Sequence, residues 1–174
     1  MRKVFFTATA AFAFLTMATA QEPRKSPHAT ISAEIDGHKI TITYGRPSLR
    51  GRKMIGDHEP YGKVWRTGAD EATTLETDVD LDINGLKIPA GKYALFTLFT
   101  PESWTLIVNK TANQWGAFKY KDADDLGRVP MNVSKSSAPV EQFTITLVPA
   151  GGNSATLKME WENIVASVPV KIAR

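Results

Sequence analysis

The sequence predicts an all-β protein, an antiparallel, jelly-roll-like β-sandwich of about eight or nine strands with two long loops. Three observations predict it. Apolar and polar residues alternate with a period of two along most segments, tight-turn dipeptides separate those segments, and no helical period follows the N-terminal apolar run. A closed β-barrel is the alternative architecture that meets the same pattern.

At the N-terminus, the basic Met1-Arg2-Lys3 precedes an apolar run from Val4 to Met17 that is too short to span a bilayer comfortably. The run ends in Ala18-Thr19-Ala20, the small-x-small pattern of signal-peptidase cleavage, so residues 1–20 read as a signal peptide and the mature chain as periplasmic or extracellular. Cleavage after Ala20 leaves 154 of the 174 residues, and loss of Arg2 and Lys3 lowers the formal charge from +3 to +1. A nearly neutral mature chain gives no electrostatic case for binding nucleic acid. It has no further apolar run of membrane-spanning length. With no cysteine in the chain, neither disulfides nor a lipid-modified cysteine can form, and one core over 30–174 must provide the stability.

Residues 21–29 contain two prolines and no apolar period, and read as a flexible leader. From Thr30 the alternation of Ile31, Ala33 and Ile35, then Ile40, Ile42 and Tyr44, around Asp36-Gly37 predicts a hairpin. Val79, Leu81 and Ile83 alternate with Asp78, Asp80 and Asp82 and turn at Asn84-Gly85 into Leu86-Lys87-Ile88, a second hairpin. Tyr93 to Phe99 is apolar on both faces and reads as a central strand, paired with Trp104 to Val108. Phe143 to Leu147 and Leu157 to Trp161 flank the turn from Pro149 to Asn153, and Val165 to Ile172, which contains Pro169, reads as an edge strand. Segments 45–72 and 109–139 remain as long loops, where function concentrates.

These segments carry a resemblance. Tyr44-Gly45-Arg46-Pro47-Ser48-Leu49-Arg50-Gly51-Arg52, the run from Pro60 through Trp65-Arg66-Thr67-Gly68-Ala69-Asp70-Glu71 to Thr73, Ile88-Pro89-Ala90-Gly91-Lys92-Tyr93 and Gln114-Trp115-Gly116-Ala117-Phe118 together resemble the family called domain of unknown function 2911. The resemblance runs in order along nearly all of the mature chain. It implies a bacterial, exported β-sandwich and brings no established catalytic or binding residues with it.

Between Arg46 and Arg66 stand six basic residues (Arg46, Arg50, Arg52, Lys53, Lys63, Arg66) and two acids (Asp57, Glu59), a local balance of +4. Guanidinium forks suit carboxylates, phosphates and sulfates, and Trp65 adds stacking surface, so Arg46, Arg52, Trp65 and Arg66 are candidate contacts for a small anionic or carbohydrate ligand, or for a protein partner. The structural reading beside it is that the six acids of 70–82 pin this loop to its own domain. Asp70 and Glu71 are candidates for hydrolase carboxylates near Arg66. Adjacent strand residues point to opposite faces, however, so both reach one site only where the backbone is irregular.

Asp80-x-Asp82-x-Asn84-Gly85 opens like a calcium loop, but the twelfth position is Gly91 instead of Glu, and an acidic strand face ending in a turn explains the same letters. His28, His38 and His58 have no metal-ligand spacing to one another; a site would need carboxylates that converge only in three dimensions. No metal or cofactor is expected on this basis. Ser48 lies in no nucleophile elbow. Trp115, Phe118 and Tyr120 read first as closing an end of the core and second as an aromatic platform. The sequence thus favours a non-catalytic binding module, with a hydrolase second and a structural envelope or assembly domain third.

Overall fold

The computed structural model describes residues 24–173, so the signal-peptide reading of 1–20 and the first leader residues lie outside it. The described residues form ten strands: β1 (His28–Ile35), β2 (His38–Gly45), β3 (Val64–Trp65), β4 (Thr73–Thr77), β5 (Leu81–Ile83), β6 (Leu86–Ile88), β7 (Gly91–Phe99), β8 (Trp104–Asn109), β9 (Asp125–Gly151) and β10 (Ser154–Ile172). They make one antiparallel sheet in the order β1-β2-β4-β7-β8-β9-β10-β5-β6, with β3 pairing β7 beyond the end of β4. The expected hairpins are present. Asp36-Gly37 and Asn84-Gly85 take the positive φ angles their turns require.

The two long strands make the sandwich. The first part of β9 pairs with β8, and from Asn132 onward β9 pairs with β10, so the sheet rolls over and both halves face one core. Inward residues of β2, β7 and β8, such as Ile42, Leu95 and Leu106, meet Phe143, Leu157 and Trp161 from the other half. Under the 46–63 segment, Trp65 stacks on Trp161 with ring centroids 5.5 Å apart, and Phe143 packs edge-on to both rings at 4.9 and 5.7 Å. Such aromatic pairs add to simple area burial.

The sheet does not close into a barrel. Pro47, just past β2, has no N–H to extend a ladder, and between 46–49 and β9 the backbone makes one isolated bridge, Ser48 to Gln142. Side chains span the gap instead: the Tyr44 hydroxyl donates to the Ile145 carbonyl at 3.3 Å and accepts the Ile145 N–H at 2.9 Å.

Three expectations change. The second loop is only 110–124, because Val129 and Met131 face the core against exposed Arg128 and Pro130, an alternation too short to stand out beside a proline. Val165 to Ile172 is not an edge strand but one end of β10, between β9 and β5. Pro169 is tolerated there because it falls between the two ladders, past the Ser167–Asn132 pair and before the Val170–Ile83 pair, so neither calls on its missing N–H, while its carbonyl accepts the Asn84 N–H at 3.2 Å. β1 starts at His28, two residues before the expected first strand.

Replacing Tyr44 with Phe strips β9 of its cross-gap partners at Ile145. Urea unfolding should show a loss of about 1–3 kcal/mol with an unchanged m-value; a stability equal to that of the parent chain would contradict the bridging role.

Candidate functional site

The chain between β2 and β4 builds the site, and its path is set by contact of backbone on backbone. A Cβ at Gly45 would stand 2.2 Å from the Ala69 carbonyl oxygen, and one at Gly68 would stand 2.7 Å from the Gly45 carbonyl oxygen. Glycine at the end of β2 therefore lets the 67–70 turn lie directly on the strand. Within that turn Thr67 (φ 57) and Asp70 (φ 62) are left-handed, an outlying conformation for a β-branched threonine. Hydroxyl groups hold it. Thr67 Oγ1 lies 2.6 Å from Thr97 Oγ1, the Thr67 carbonyl accepts the Thr73 hydroxyl at 2.6 Å, and all three threonines are buried.

Of the other left-handed non-glycine residues described, Asp36 and Asn84 belong to hairpin turns, whereas Arg50 and Glu162 belong to this region. The Glu162 carboxylate accepts the backbone N–H groups of Met54 and Ile55 at 2.5 and 2.8 Å. The Glu141 carboxylate accepts that of Arg50 at 2.8 Å. Backbone strain outside the hairpins thus gathers around one loop, a pattern typical of functional sites.

The candidate residues separate by role. Arg46 donates from Nε to the Phe143 carbonyl at 3.2 Å and from Nη2 to Thr144 Oγ1 at 2.9 Å, so it clasps β9. Trp65 is 3 % exposed and belongs to the aromatic core. Arg52 is exposed and oriented by bonds from Nε and Nη2 to the Leu49 and Ser48 carbonyls, each at 2.9 Å. Arg66 is half-buried, and its Nε finds no hydrogen-bond partner among the described residues.

The acids of 70–82 do not pin the basic loop. Glu76 pairs with Lys92, Asp78 with His38 and Asp82 with Lys87, all next to their own strands. Asp80 accepts the Ala90 N–H, Asp82 accepts that of Gly85, and Asn84 donates to the Pro130 carbonyl, so the calcium-like letters serve turns.

Arg52 and Arg66 line a cleft of about 350 Å³ together with Lys25, Ser48, Arg50, His58, Glu59 and Asp70. Basic side chains outnumber carboxyls on its walls. Burial raises the Glu59 pKa, outweighing the Arg66 charge, the nearby Trp65 indole N–H, which closes no well-formed hydrogen bond, and His58. A hollow of about 520 Å³ over Lys39, Thr41, Glu76, Thr77 and Asp78 is larger, but it is a shallow depression whose acids pair with His38 and Lys92.

Beside the cleft, the left-handed Asp70 supplies the irregularity that lets neighbouring carboxylates converge. Asp70 Oδ2 and Glu71 Oε2 stand 3.5 and 3.2 Å from His28 Nε2. Arg24 grips Glu71 with both terminal nitrogens, at 2.6 and 3.0 Å. That hydrogen bonding, foremost, lowers the Glu71 pKa and keeps the carboxylate ionised, the opposite of what a general acid needs.

The 110–124 segment forms the adjoining rim. The Gly116 N–H donates to the Asp70 carbonyl, the Ala72 N–H donates to that of Gln114, and Trp115 bridges Glu71. Trp115 and Phe118 are 59 % and 85 % exposed and do not close the core. Tyr120 alone of the three packs inward, against Phe96, and burial together with its bond to Asp125 pushes its hydroxyl pKa up to about 12.

Lys25, Arg24, His28, Arg50, His58 and Glu59 were not among the candidates from sequence. The first three fall in a stretch that reads as leader; the others are ordinary members of a charged run.

Residues 26–170 match the family described as "Protein of unknown function (DUF2911)", and the chain belongs to that family. No curated protein and no solved structure matches it.

Because Glu59 has a raised pKa, the folded protein holds its proton more tightly than the unfolded chain does. The stability this provides is complete below the ordinary value of 4.5 and is lost as pH rises through the folded pKa. Unfolding free energy measured across that window should fall less steeply in Glu59→Gln than in the parent chain. Identical slopes would show that Glu59 is not buried as described.

Proposed function

We propose that this DUF2911-family protein is an exported, non-catalytic module that binds a small anion, a carboxylate, phosphate or sulfate group, in the cleft beneath the 46–63 loop. The observation that carries the reading is the cleft wall itself: Lys25, Arg50, Arg52, His58 and Arg66 surround one space, against the two carboxyls of Glu59 and Asp70. A bound oxyanion would accept hydrogen bonds from these side chains and offset the concentrated positive charge. Loop anchoring by Glu141 and Glu162 holds the wall in place before a ligand arrives, which lowers the ordering cost of binding. Export rests on the basic, apolar and small-residue pattern of residues 1–20.

A hydrolase has less support. Glu71 is held ionised by Arg24, so the proton donor that hydrolysis of a glycosidic or acyl bond requires would have to come from elsewhere. A carbohydrate carrying an acidic group remains compatible with the cleft, since exposed Trp115 stands on the neighbouring rim.

Titration calorimetry with inorganic phosphate, sulfate and citrate tests the reading. At least one should bind, with affinity falling as salt rises. Arg66→Ala should weaken that binding by about tenfold or more, as expected for loss of a charged hydrogen bond, while Lys92→Ala, away from the cleft, should not. Absence of binding by all three anions, or equal affinity in Arg66→Ala, would count against an anion site.

A further inference from the structure

We propose that His28, Asp70 and Glu71 form a site for a divalent transition-metal ion of the zinc or manganese class, and that the Arg24 guanidinium is its built-in competitor.

The donor set is one imidazole and two carboxylates, whose ligand atoms all lie within 4.8 Å of one another. Two donors bound at about 2.1 Å in tetrahedral geometry stand roughly 3.4 Å apart. The His28 Nε2 distances to Glu71 Oε2 and Asp70 Oδ2 are 3.2 and 3.5 Å, so those two edges are already close to the spacing an ion imposes.

The backbone explains why these atoms converge. Left-handed Asp70 directs two consecutive carboxylates to one side, and the Gly116 N–H and the Trp115 bridge fix the chain at that point. His28 comes from the first residue of β1. The donors thus come from two segments, and a third, at 115–116, fixes one of them.

The cluster already accommodates one positive charge, supplied by the chain itself. Arg24 Nη1 lies among all three donors, 2.6 Å from Glu71 Oε2, 2.8 Å from His28 Nε2 and 3.9 Å from Asp70 Oδ2. It marks the position of positive charge. The Arg24 side chain is 40 % exposed, so exchanging it for a better-matched ion costs little. Its arm would remain docked after the side chain swings away. The Lys25 carbonyl accepts Arg50 Nη2, and the Pro27 carbonyl accepts the Arg46 N–H, both at 2.8 Å.

The half-exposed ligands leave open coordination positions for water or an incoming oxygen atom. Asp70 also lines the basic cleft, so a bound ion would add positive charge at its edge. The metal site stands apart from the anion reading, because its test contains no anionic ligand.

Metal-free protein should be titrated with Zn²⁺ and with Mn²⁺ in a non-coordinating buffer, using calorimetry or a chelating dye in competition. The parent chain should bind one ion. His28→Ala and Glu71→Gln should each weaken binding by about tenfold or more, with circular dichroism confirming that they fold. Arg24→Ala should tighten it by about fivefold, the scale of one exposed ion pair. That gain cannot be mimicked by misfolding. No binding in either the parent or Arg24→Ala, no gain in Arg24→Ala, or parental affinity in a folded His28→Ala would overturn the proposal.

Discussion

The architecture of the functional end depends on the contact between the end of β2 and the turn before β4. A Cβ at Gly45 would fall 2.2 Å from a backbone oxygen, which cannot turn aside as a side chain can. Because that space is empty, the 67–70 turn settles on the strand with Thr67 and Asp70 left-handed, and buried threonine hydroxyls hold it there. From this one placement follow the burial of Trp65 on Trp161, the presentation of Arg66 to the cleft, and the turning of Asp70 and Glu71 toward His28.

The charged residues of the loop divide according to what lies behind them. Arg46 faces the gap where the sheet fails to close and serves β9, where unpaired polar groups would be costly. Arg50, Arg52 and Arg66 face the cleft. Glu141 and Glu162 hold the loop through its backbone N–H groups, so it is fixed without these acids occupying its guanidinium donors.

Strands were legible wherever a period of two met a turn dipeptide, as at Asp36-Gly37 and Asn84-Gly85, because both signals are local. The start of β9 was hidden by Pro130, and its continuity through polar residues 132–139 depends on pairing with distant β10. The site was only partly legible. Arginine density marked the correct loop, but sequence carries no register between β2 and β9, and so could not separate structural Arg46 from cleft-lining Arg66. Trp65 stood among ligand candidates because its partner, Trp161, lies far away in the chain. The convergence of Asp70 and Glu71 required an irregular backbone, a condition the residues posed and the left-handed turn meets.

Gly45 is the residue on which this end of the molecule depends most directly. Gly45→Ala introduces no left-handed strain but sets a Cβ against the Ala69 backbone; Gly127→Ala is the matched control, since the atoms nearest its Cβ belong to the movable Leu86 side chain, at 2.4 Å. Urea unfolding should show Gly45→Ala destabilised by about 2–3 kcal/mol and Gly127→Ala clearly less, with amide shifts in Gly45→Ala centred on residues 66–71. A Gly45→Ala protein as stable as the parent chain, with those amides unmoved, would contradict the claim that this backbone contact builds the site.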